Sequence, residues 1–113
     1  MNKTIKPESV KTHAQFVEFY TLILNKWQDS EDILTSEVQF ISEALNKNLR
    51  LRDFVMGETI SLLSDSVNLA HHFFIYLSEV VPSAPFFTIQ GLYLLACDES
   101  PNAIGALTKA LEL

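Results

Sequence analysis

Basic residues are scarce in this chain: eight Lys and Arg stand against 14 Asp and Glu, a formal net charge of −6. General nucleic-acid binding needs clustered cations, so that class is excluded. A single cysteine, Cys97, rules out an internal disulfide framework and fits a reducing, cytoplasmic setting. Only three glycines occur, and each falls inside a helical pattern, which leaves no glycine-rich phosphate loop. Apolar runs such as Phe73 to Leu77 are far short of a membrane span. Met1 to Lys11 is polar and reads as neither signal peptide nor anchor. No alternating strand pattern appears anywhere. What remains is a chain of 113 residues with 48% hydrophobic content, the profile of one globular domain that buries its core without staples.

Three- and four-residue spacing of apolar side chains runs through the sequence and predicts about six helices in antiparallel hairpins, an all-α fold. Residues 1–6 are expected to form a disordered start, and residues 7–113 a single all-helical domain. Pro7 opens a first helix reaching about Trp27, with Val10, His13, Val17, Tyr20, Leu24 and Trp27 on one stripe and Phe16, Phe19 and Ile23 widening it. Asp29 or Ser30 is expected to cap a second helix carrying Glu31 and Asp32 in its first turn. Its stripe is Leu34, Val38, Ile41 and Leu45, and Asn48 is expected to close it in the left-handed conformation. A third helix covers Leu51 to Ser64, with Gly57 marking a close crossing. A fourth runs from Asp65-Ser66 through Val80 with Ala70, Phe73, Phe74, Leu77 and Val81 inward.

The last stretch, residues 84–113, is the most sharply patterned. Ser83 and Pro85 form a cap-plus-proline start, repeated by Ser100 and Pro101 after the polar break at Asp98 and Glu99. The fifth helix shows Phe87, Gln90, Gly91, Leu94 and Leu95 on one face, and the sixth Ala103, Ile104, Leu107, Ala110 and Leu111. Gly91 and Ala103 leave room for two backbones to approach closely. Leu107 and Phe87 are expected to face each other, nearly fully buried.

That pattern resembles a tetratricopeptide repeat. Phe87 stands at the first aromatic position, Gly91 at the small residue of the first helix and Leu94 at the large one. Ala103 and Ala110 stand at the small positions of the second helix, with Leu107 between them. Gln90 replaces a leucine and Asp98 replaces the turn glycine. A wider stretch, Ile33 to Leu113, with its Leu51-Arg52-Asp53 step and proline break, resembles the C-terminal part of the domain-of-unknown-function family numbered 4192. The resemblance implies a tetratricopeptide-like helical stack and carries no activity or cofactor.

Candidate sites are few. His71 and His72 are adjacent on a helix and point about 100° apart, which suits no single metal ion, and no third ligand is evident. Cys97 is followed by Asp98 and Glu99, which disfavour a thiolate. Lys47, Arg50 and Arg52 form a local basic cluster, expected either to contact an acidic peptide or phosphate, or to be a solvated face on which Arg52 pairs with an acidic neighbouring helix and Asp53 caps the first turn of the third helix. The aromatics Phe73, Phe74, Tyr76, Phe86, Phe87 and Tyr93 are expected chiefly in the core.

No catalytic constellation is visible, and no cofactor or metal is expected. The leading expectation is a protein–protein interaction or self-association module, in contact with a protein partner or a second copy through Ile104, Leu111, Arg50 and Arg52. With the sequence closing at Leu113, the apolar edge of the last hairpin is expected to need cover from another chain. The alternative is a small helical ligand-binding domain or enzyme with a site between helices at His71, His72 or Glu79.

Overall fold

In the computed structural model, residues 6–63 and 67–113 are described. A single 3-10 turn, Pro7–Ser9, is followed by α1 (His13–Gln28), α2 (Thr35–Lys47), α3 (Arg50–Leu62), α4 (Val67–Val80), α5 (Ala84–Ala96) and α6 (Ser100–Glu112). Consecutive helices pack, most extensively α4 on α5 and α5 on α6. The radius of gyration is 13.5 Å and the extents are 43 × 28 × 23 Å. Residues 1–5 of the expected disordered start lie outside the described residues. So do Ser64, the expected end of the third helix, and Asp65-Ser66, the expected start of the fourth.

The helix starts depart from the sequence reading for local reasons. Pro7 opens only the 3-10 turn, because the Thr12 side chain accepts from the Gln15 N–H while the Gln15 side chain accepts from the Thr12 N–H. That capping box satisfies two otherwise orphaned donors and fixes the start of α1 at His13. At the other end, Ser30 is left-handed (φ 58°) and the Glu31 N–H bonds back to the Lys26 carbonyl. Asp29 and Ser30 therefore close α1 instead of capping α2. The start of α2 moves to Thr35, where the Glu37 carboxylate accepts from the Leu34 N–H at 2.9 Å and from Lys26 Nζ at 3.1 Å. Leu34 is exposed, not part of the stripe, while Val38, Ile41 and Leu45 are buried. Asn48 is extended, with its side-chain oxygen accepting from the Arg50 N–H, so it is no left-handed cap.

The core runs through α1 to α5. Phe16, Phe19, Tyr20, Ile23 and Leu24 of α1 meet Val38, Ile41 and Leu45 of α2, Val55 of α3, Phe73, Phe74 and Leu77 of α4, and Phe86, Ile89 and Tyr93 of α5. Its aromatics are arranged largely edge to face: Tyr20 and Trp27 on Phe73, Phe73 on Phe74, Phe74 on Phe86. His13, expected on the α1 stripe, is exposed with its ring against Phe54.

Two buried polar ties cross this core. The Thr59 hydroxyl donates to the Val55 carbonyl, which commits its one proton, so Tyr20 Oη donates to Thr59 Oγ1 at 2.7 Å. Tyr93 Oη donates to the Met56 carbonyl at 3.1 Å, so α1 and α5 are both fastened to α3. Between α4 and α5, Gln90 donates to Ser78 Oγ at 2.7 Å and to the Phe74 carbonyl at 3.3 Å. Gln90 is thus buried with its amide N–H groups engaged, which a leucine there could not do.

Candidate interaction face

Gly91 is the point at which the last two helices meet. A Cβ placed there would stand 2.6 Å from Leu107 Cγ, 2.7 Å from Leu107 Cδ2 and 3.4 Å from the Ala103 carbonyl oxygen. The expected close crossing at Gly91 and Ala103 is present. Lys109 Nζ lies 5.2 Å from the Phe87 ring, so going backward along α5 goes forward along α6 and the pair is antiparallel. Asp98 joins them with φ 60°, the left-handed conformation that favours glycine and that Asp tolerates better than most residues. Gly57, by contrast, has nothing within 4 Å of a would-be Cβ and marks no crossing.

The buried face of α5 is turned from the expected one. Phe86, Ile89 and Tyr93 point into the core beside Gln90, Gly91 and Leu94, while Leu95 is exposed and Phe87 is half-buried under Lys109. The reason is that α5 is apolar nearly all round and has no charged residue, so periodicity could not choose among its faces. Leu107 is likewise half-buried, and the expectation that it and Phe87 are nearly fully buried is corrected.

One side of the hairpin carries an exposed apolar surface. At about 100° per residue, Leu95 and Leu92 lie about 40° and 100° round α5 from Gly91. Leu111 and Ile104 lie about 40° and 60° round α6 from Leu107, in the same rotational sense. In an antiparallel pair, equal senses fall on the same side, so these four side chains share one face. Ile104 is 64% exposed and Leu111 89% exposed. Among the described residues, eight large apolar side chains are exposed, and five of them (Leu92, Leu95, Ile104, Leu111 and Leu113) belong to this hairpin. Ile104 and Leu111 are the contacts expected from sequence, whereas the periodicity of α5 expects Leu95 inward and does not single out Leu92. A helix with no charge and apolar residues on every side is the available signal.

The other candidates are dispersed. Arg50 is exposed, and Arg52 is half-buried with its Nε shielded from solvent and lacking a hydrogen-bond partner. The pairing of Arg52 with an acidic neighbouring helix is therefore not made at that atom. His71 and His72 lie 6.2 Å apart between ring centroids, with His71 half-buried and His72 exposed. Burial, together with the neighbouring His72, lowers the His71 pKa from its ordinary value, and Glu99 opposes that shift. Glu79 and Cys97 are exposed. Among the described residues no three His, Cys, Asp or Glu side chains come together as a metal would need, and no helix is long and apolar enough to cross a membrane. An open cleft of about 450 Å³ lies between the Pro7–Ser9 turn and α2, lined by Pro7, Val10 and Phe40 with Glu8, Lys11 and Glu43. None of His71, His72 or Glu79 lines it.

Comparison of the chain with protein-family models, with curated proteins and with solved structures finds no match in any of the three.

Proposed function

We propose that this chain is a protein–protein interaction module whose contact face is the outer side of the α5–α6 hairpin. The observation that carries this reading is the concentration of exposed apolar side chains there, Leu92, Leu95, Ile104 and Leu111, on an otherwise acidic protein. Apolar side chains gathered on one face mark a surface that another molecule covers. Within this reading the hairpin is tetratricopeptide-like, with Gly91, Ala103 and Ala110 as its small positions, and the chain is akin to the C-terminal part of the family numbered 4192. Two departures from that pattern have local physical grounds. Gln90 ties α5 to α4, and Asp98 supplies the left-handed turn residue that a glycine would.

The test combines sedimentation at micromolar concentration with crosslinking from a photoreactive residue at position 104, in the cells that make the protein. Expected is either a concentration-dependent dimer or a discrete crosslinked adduct, abolished in both cases by Leu111→Glu. A monomer that forms no adduct from position 104 and is indifferent to Leu111→Glu overturns the proposal.

A further inference from the structure

Resting on that reading, we infer that the occupant of the α5–α6 face is an amphipathic helix of basic character supplied by a different protein, rather than a second copy of this chain. Charge distribution carries the inference. From residue 54 onward the sequence has six acidic residues and only Lys109 as a basic one, so residues 54–113 hold −5 of the formal −6. The earlier part is nearly balanced, with the other seven basic residues against eight acidic ones.

The acidic groups are placed to select a partner. Asp98 and Glu99 form the exposed turn at one end of the apolar face, and Glu112 lies at the other, beside Leu111. Leu95 stands in the last turn of α5 and Asp98 three residues on in the turn that follows, so apolar and acidic surface adjoin. A two-fold pairing of this face with itself would bring two such halves together, charge against like charge. Like-charge juxtaposition suppresses wrong partners, and opposite charge speeds encounter. The face also straddles the seam between two helices. Leu92 and Leu95 flank that seam on α5 and Ile104 and Leu111 on α6, so the apolar stripe of a third helix can lie along it.

The probe is a synthetic peptide of about 18 residues, five helical turns, with leucines at three- and four-residue spacing and lysines elsewhere. Its control keeps the leucines and replaces every lysine by glutamate. Fluorescence anisotropy with the purified chain should show the lysine peptide binding at least about tenfold tighter than the glutamate peptide, a difference of about 1.4 kcal/mol. That binding should be lost in Ile104→Glu and Leu111→Glu, and weakened by Asp98→Lys with Glu99→Lys and by added salt. Circular dichroism establishes that each variant is folded. If the lysine peptide binds equally well to Ile104→Glu and Leu111→Glu, it sits elsewhere on an acidic protein, and the inference is overturned. Equal binding of both peptides, lost in those variants, overturns the charge selection and leaves the interaction face standing. No peptide binding, with self-association abolished by Leu111→Glu, overturns the inference in favour of a second copy. No peptide binding by a chain that stays monomeric and uncrosslinked overturns this inference and the face together.

Discussion

At the scale of single residues, the hairpin depends on one missing side chain. Gly91 pays the usual helical penalty of about 1 kcal/mol relative to Ala, yet a Cβ there would overlap Leu107 Cγ. Gly91→Ala should therefore lower stability despite its better helix propensity. In a Leu107→Ala background the obstruction is gone, and the same substitution should become stabilising by up to about 1 kcal/mol. Gly91→Leu overpacks and should cost about 1–3 kcal/mol or more. Gly57→Ala, with open space around it, should stabilise in any background. Denaturant midpoints of these variants decide the matter. Equal and additive effects of Gly91→Ala with and without Leu107 would mean the two do not touch.

At the scale of elements, the tie among α1, α3 and α5 makes an asymmetric prediction. Thr59→Val leaves the buried Tyr20 hydroxyl without an acceptor and should cost about 1–3 kcal/mol. Tyr20→Phe removes the donor while Thr59 keeps its bond to the Val55 carbonyl, so it should cost clearly less. Urea unfolding of the two variants checks the order, and a larger cost for Tyr20→Phe would reverse the assignment of donor and acceptor. Periodicity alone indicated helices in these places, since Phe73, Phe74 and Leu77 leave α4 only one way to face. Boundaries were less legible because several side chains compete for each cap. Ser30 looks like an N-cap in sequence but closes the preceding helix, while Glu37, three residues into α2, caps the start of that same helix with its side chain. The candidate face was half legible. Ile104 and Leu111 widen the apolar stripe of α6 beyond the part that α5 covers, whereas Leu92 and Leu95 are lost in a helix that is apolar in every direction.

At the scale of the whole molecule, global unfolding should be visible in tyrosine ionisation. Burial raises the phenol pKa of Tyr20 well above the ordinary value, and that of Tyr93 as well. The folded pKa values exceed the unfolded ones, so this contribution to stability is fully present below about pH 10 and is lost as pH rises beyond it. Alkaline titration followed by ultraviolet absorbance should show Tyr20 and Tyr93 ionising together with the loss of helical circular dichroism. Tyr20→Phe and Tyr93→Phe variants identify the signals. Ionisation of either residue while the helical signal is intact would mean that water reaches that part of the core.

The core cluster passes through α1 to α5 and stops there; Ala103 and Ala110 are buried in α6, but against α5 alone is its packing extensive. A helix held on one flank opens without dismantling the rest, so the protein has two depths of stability. Amide hydrogens of α6 should exchange through a local opening whose free energy is lower than that of global unfolding, and those of α1 and α4 only through the latter. Such an opening would lift Leu107 off Gly91 and leave a shallow strip of α5 backbone facing water. Any molecule seated across both helices would have to hold that hinge shut, and slower exchange in α6 would record its presence without any contact being seen directly.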